Sequence, residues 1–300
     1  MNLIATDNTH TYHNSTFLAW ALWLLLAVFS CLTELVLPEP AFAFDHLHKL
    51  FSSELHKYVR ENGVLYAKWK DNQTGLDQYL DTLSAVSEAE YKDFDVQQKE
   101  ALWLNAYNAM AIKLILNHYP INGINQEFPA NSIRQIPNTW DAISRKIAGR
   151  EVTLYTIAHD ILRRDPDCRT HFAVAPATRG GGALQNEAFE ARIVERELNE
   201  ITREFLARPE NLSCDIAEGT ITVSQIFKWF PLDFLFCTGA GRIPMPPPKD
   251  DDVVRDYIMQ FLPRETKARL KGKELKVNYA PYDWSLNDAS TSEANRREKQ

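Results

Sequence analysis

Cys168 stands three residues before His171, and His159 precedes both on a separate helical stretch. A sulfur beside an imidazole is a pairing that can make a nucleophile. A neighbouring protonated histidine draws the thiol below its ordinary pKa of about 8.5, and the thiolate is the attacking species. Thr178 offers a hydroxyl in the same region, although a threonine needs a well-placed base before it can attack. The four residues that follow it, Arg179-Gly180-Gly181-Gly182, have the composition of an anion cradle, with converging backbone N–H groups and one guanidinium. Each feature also has a plainer reading. Cys168 fits a buried or disulfide-linked sulfur, His171 a satisfied imidazole at the start of a buried strand, and the glycine run a flexible loop. His159, His171 and Asp160 match no metal-ligand spacing, so no metal is expected.

These groups need elements to hold them. Asp95 and Gln98 have capping-box spacing, and the helix they begin runs through Trp103-Leu104-Asn105-Ala106-Tyr107-Asn108. At 100° per residue Leu104, Asn105, Asn108, Ile112, Ile115 and Leu116 share one face, with Lys113 and Asn117 on another. Asn105 and Asn108 therefore aim two amides into apolar surroundings, where an unpaired amide costs a few kcal/mol. Both must be hydrogen-bonded, either to neighbouring loop backbone or to a catalytic histidine or ligand. A strand over 151–154 leads into a helix over 155–164 capped by Thr153. On that helix His159 lies off the Leu154/Ile157/Ile161 stripe, near Tyr155 and Arg163. Phe172-Ala173-Val174-Ala175, ending at Pro176, reads as a buried strand.

The remaining chain supplies the frame. Apolar spacing predicts a first helix from Phe44 to about Gly63, a short strand over 64–70, a helix over 76–86 and another starting at Ser87. A long helix is expected from Asn186, with Phe189, Ile193, Leu198, Ile201 and Phe205 inward. Glu218-Gly219 joins two short strands as a hairpin, Ser224 caps a helix over 225–230, a further helix covers 253–262, and a last strand covers 275–280. No repeat or Ser/Gly linker divides residues 44–288. Helices outnumber strands without βαβ regularity, so the expected class is α+β: a helix-rich single domain around a small mixed β-sheet.

Composition narrows the function classes. In 300 residues, 33 Lys+Arg against 40 Asp+Glu give a net charge of −7. No basic stripe offers phosphates a partner, so no nucleic-acid partner is expected. The 4 cysteines are too few for a disulfide scaffold and lack paired CxxC spacing. Residues 17–37 form an apolar run, followed by Ala41-Phe42-Ala43, a small-x-small pattern of the type cut by export peptidases. Residues 1–43 thus read as an export signal, placing the mature chain in a periplasm, a lumen or outside the cell. The alternative is a membrane anchor over 17–37, against which Glu34 counts. Cleavage would leave Cys168, Cys214 and Cys237, which permits one disulfide and one free thiol or three buried thiols. Residues 289–300 read as a disordered polar tail.

Several ordered segments resemble the domain-of-unknown-function family 547. They are Trp103-Leu104-Asn105-Ala106-Tyr107-Asn108-Ala109, Ser132-Ile133-Arg134-Gln135-Ile136, Trp140, Leu154 through Arg163, His171-Phe172-Ala173-Val174, Ser224 through Phe230 with Asp233-Phe234, and Tyr282 through Asn287. The resemblance spans roughly residues 95–287 and implies a compact α+β domain, often exported, with no established cofactor. The family's cysteine motif does not carry over, because Pro176 and Gly181 stand where its cysteines would be, and Ala158 replaces the acidic residue before the helix histidine. The expected function is a non-catalytic binding module for a small molecule or peptide. Its pocket is expected among Asn105, Asn108, His159, His171, Arg179 and the rest of the Thr178–Gly182 loop. One alternative is a hydrolase or transferase using His159 or His171 with Cys168 or Thr178. Another is a membrane-tethered structural protein, which requires 17–37 to be retained.

Overall fold

The computed structural model describes residues 44–164, 167–240 and 242–289. The export signal over 1–43, the alternative anchor over 17–37 and the tail from residue 290 onward lie outside the described residues. Of the tail only Ala289 is described, and it is buried.

The centre of the fold is the Val96–His118 helix. It starts in a full capping box: Gln98 N–H donates to Asp95 Oδ1 at 2.7 Å, and Asp95 N–H donates to Gln98 Oε1 at 2.9 Å. The expected single apolar face is too narrow a description. From Ala101 to Leu116 every residue but Lys113 is buried, as in a helix packed on all sides. Lys113 escapes isolation through an ion pair to Asp77 at 2.6 Å. Around this axis pack the helices Thr74–Ala85, Tyr66–Asp71 and Val194–Ala207.

The sheets are small, and the class is α+β and helix-rich. Leu212–Asp215 and Thr220–Ser224 pair antiparallel, and Lys276–Ala280 adds to the second of these in parallel, so the three-stranded sheet is mixed. A separate hairpin joins Ser144–Ile147 to Arg150–Thr153. Its turn residues Ala148 and Gly149 both take positive φ, which matches the right-handed twist of the strands they connect.

Three expectations about elements are corrected. Residues 64–70 are not a strand. Gly63–Val64 pairs briefly with Val59–Arg60, and Tyr66–Asp71 is a helix whose buried Tyr66 and Trp69 sit at helical spacing. Residues 172–175 are not a strand either, because Thr170–Ala173 is a single helical turn. Just before it Asp167 Oδ1 accepts the Arg169 N–H at 2.9 Å, and a four-residue buried run cannot by itself distinguish helix from strand. The helix expected from Asn186 begins only at Val194, after a 3-10 turn over Ala191–Ile193. Phe189 cannot join it, since both its N–H and its C=O are bound by the Asn105 side chain.

Candidate functional site

Both buried amides hold loop backbone. Asn105 Nδ2 donates to Phe189 O and its Oδ1 accepts from Phe189 N–H, each at 2.9 Å. Asn108 does the same across two residues, donating to Ala173 O at 3.1 Å and accepting from Ala175 N–H at 2.8 Å. Each amide thus imitates a strand partner and fixes a loop to the central helix. Neither is among the residues that line the two clefts described below, and by holding these loops both position the walls. Asn108 in particular fixes the segment immediately after His171.

His159 lies on a π-helical segment, Thr156–Ile161, which Thr153 starts by accepting the Thr156 N–H on Oγ1 at 3.2 Å. Widened turns of this kind recur at functional sites. The His159 ring packs against Tyr155 at 4.6 Å between centroids, and its Nδ1 is 3.3 Å from Arg163 Nη1. Burial holds its pKa below the ordinary histidine value, and the charges of Arg163 and His171 add to the depression.

His171, on the turn Thr170–Ala173, stacks on Phe230 with ring centroids 4.3 Å apart and a 16° interplanar angle. Its Nε2 donates to Asp233 Oδ2 at 2.7 Å. The same carboxylate receives a bidentate pair from Arg163, Nε to Oδ2 at 2.6 Å and Nη2 to Oδ1 at 2.9 Å. Burial alone would raise the Asp233 pKa, but the bonds from His171 and Arg163 outweigh it and hold the group down at about 2. An ionised carboxylate only accepts, so His171 carries its proton on Nε2, and Nδ1 is the nitrogen left to act as a base or acceptor. Asp233 comes from the helix Pro231–Cys237. Neither periodicity nor spacing singled it out; the only sequence signal was its place in the family resemblance.

Around these groups lies a cleft of about 320 Å³. His159, Arg163 and His171 line it, together with Arg134, Tyr107 from the central helix and Gly181 from the glycine loop. Apart from Thr170 its other walls are aromatic and aliphatic, including Trp140, Tyr155, Trp229, Phe230, Tyr282 and Trp284. Apolar walls carrying a few convergent polar groups are the usual makeup of a small-molecule site.

The other expected residues lie elsewhere. Cys168 is bonded to Cys237, so its sulfur is not a thiol and the proposed Cys168 nucleophile is corrected. Among the described residues Cys214 is the free cysteine, and burial pushes its thiol pKa up, away from reactivity. Thr178 is buried, with its hydroxyl 2.6 Å from the Tyr282 hydroxyl rather than beside a histidine. Burial is the main cause that pushes the Tyr282 hydroxyl pKa up to about 12. The Arg179 and Gly180 N–H groups do not cradle an anion, because they donate to Ser285 O and Asp283 O, both at 2.9 Å. Gly180 is required there, since a Cβ would stand 2.7 Å from Asp283 N. Arg179 and Thr178 line a neighbouring groove of about 930 Å³ that carries both acidic and basic side chains. Gly181 and Tyr282 face both this groove and the aromatic cleft. Among the described residues, Asp167, Cys168 and Cys237 approach one another as metal ligands would, but the two sulfurs are joined and supply no thiolates.

Residues 91–206 match the family described as protein of unknown function, DUF547. That stretch includes Asn105, Asn108, Arg134, His159 and His171, and it supports the resemblance read from the sequence. Asp233 and the Tyr282–Trp284 segment lie beyond it. No curated protein and no solved structure matches the chain.

Proposed function

We propose that the domain is a binding module for a small organic molecule with a flat apolar body, held in the aromatic cleft beside His159 and His171. One observation carries the reading: seven tyrosine, tryptophan and phenylalanine rings line a cleft whose polar groups include two imidazoles and two guanidiniums. Stacking of a planar ligand against such walls is worth about 0.5–1.5 kcal/mol per aromatic pair beyond the area it buries. The two side chains named as nucleophiles also fit a non-covalent role, since Cys168 is in a disulfide and Thr178 is engaged by Tyr282. That disulfide, together with the leader-like residues 1–43, supports an extracytoplasmic setting, because such bonds persist in oxidising compartments. The test is titration of the full chain with 2-naphthamide, followed by tryptophan fluorescence and by calorimetry. Saturable binding weakened at least tenfold by Trp229→Ala is expected. An absence of saturable binding up to millimolar ligand would sink the reading.

A second reading rests on His171. Its Nε2 bond to Asp233 is the arrangement that orients an imidazole as a general base, here toward a water rather than a protein nucleophile. Hydrolysis of 4-nitrophenyl esters that disappears in His171→Asn and survives Thr178→Ala would favour it over simple binding.

A further inference from the structure

The cleft has an uncompensated charge. Its lining includes Arg134, Arg163, His159 and His171, and no aspartate or glutamate. Arg163 is neutralised from behind by Asp233. Arg134 has no such partner among the described residues: none of the ion pairs includes it, and its Nε–H is buried without an acceptor. What holds its side chain in place is aromatic. The guanidinium carbon lies 4.9 Å from the Phe128 ring centroid and 5.6 Å from that of Trp284, and those two rings meet edge to face at 5.6 Å. Stacking fixes the plane of a guanidinium and leaves its in-plane donors free. The backbone beneath is equally fixed, since Ser132 caps the short turn Ile133–Gln135 by accepting the Arg134 N–H on Oγ at 3.1 Å.

A planar, pre-oriented fork of donors on an apolar cleft is the geometry that receives a carboxylate through two parallel hydrogen bonds. We propose that Arg134 is the anion anchor of the cleft, and that the ligand is a small organic carboxylate whose flat apolar body lies against the aromatic walls. The proposal rests on the binding reading above and adds to it the charge of the ligand and the residue that reads it. Specificity follows from the unpaired guanidinium charge. A neutral isostere leaves the guanidinium without its counter-charge, whereas the acid supplies it.

The experiment compares 2-naphthoate with 2-naphthamide, which share the ring system and differ in charge, on the full chain and on Arg134→Gln and Arg134→Lys. The unvaried protein is expected to bind the acid at least tenfold more tightly than the amide. Arg134→Gln is expected to bind both equally. Arg134→Lys, which keeps the charge without the planar fork, should retain part of the preference, and thermal melts establish that each variant is folded. Equal binding of acid and amide by the unvaried protein would overturn the anchor while leaving the cleft reading intact. A preference that persists in Arg134→Gln would overturn the assignment to Arg134 and place the charge recognition on the histidines or Arg163. Failure of both ligands to bind would remove the cleft reading and the anchor with it.

Discussion

The Cys168–Cys237 disulfide clamps together the two short helical segments from which His171 and Asp233 meet. Cys168 lies three residues before His171, and Cys237 lies one helical turn after Asp233 on the same helix. Cys168 N–H also points at Cys237 Sγ at 3.1 Å. The bond therefore fixes the separation of the backbones that carry the imidazole and its carboxylate. It is a positioning device for the site, in the place where a reactive thiol would otherwise be sought.

Breaking that clamp has a calculable cost. The bridged residues are 69 apart in sequence, and closing a loop of that size in the unfolded chain is worth at most about 4.4 kcal/mol in chain entropy. The double variant Cys168→Ala, Cys237→Ala is expected to lose about 2–4 kcal/mol in urea unfolding and to bind cleft ligands more weakly. A loss below about 0.5 kcal/mol with binding unchanged would mean that the bond contributes nothing to fold or site.

The sequence exposed the elements with strong local rules and missed those decided by distant contacts. The central helix was legible because its capping box and long apolar register are local, as were the hairpin at Glu218-Gly219 and the last strand. The proximity of His159 to Tyr155 and Arg163 followed from helical periodicity, although the π-helical turn itself left no signature. The start of the Val194–Ala207 helix has no local signal, because an amide 84 residues away holds Phe189 out of it. Thr170–Ala173 is too short to show a period, so its burial fits a strand as well as a helix. Asp233 and Arg134 gain their meaning from partners, or the lack of them, that only the assembled cleft defines. The resemblance led to these segments without assigning them roles.

The amide of Asn108 gives a prediction about the frame of the site. It satisfies one donor and one acceptor of a loop that has left regular structure, so truncation orphans Ala175 N–H and Ala173 C=O in a dry interior. Asn108→Ala is expected to cost about 1–3 kcal/mol in chemical denaturation. Asn108→Asp should cost more, because a carboxylate cannot donate to Ala173 O and would face it with like charge. Unchanged stability in Asn108→Ala would contradict the wall-positioning role.

His48 sets a pH dependence far from the cleft. It is buried, takes a left-handed φ of 47° before the helix Lys49–Tyr58, and places Nδ1 2.8 Å from the Tyr79 hydroxyl, while Nε2 is buried without a partner. Burial lowers its pKa to about 3, with Asp45 opposing the shift and His46 adding to it. The unfolded chain protonates this imidazole near 6.5. Between those values the unfolded state binds one more proton than the folded state, so stability rises with pH across the window and falls on acidification. The slope is about 1.4 kcal/mol per pH unit, which amounts to about 3 kcal/mol between pH 6.5 and pH 4. His48→Asn removes the titrating group while keeping a residue tolerant of left-handed backbone. Urea unfolding at pH 4, 5, 6 and 7 should therefore show a steeper loss of stability on acidification for the unvaried protein than for His48→Asn. The two curves should converge or cross toward pH 4. Curves that run parallel over the whole range would mean that His48 can take a proton without disturbing the fold.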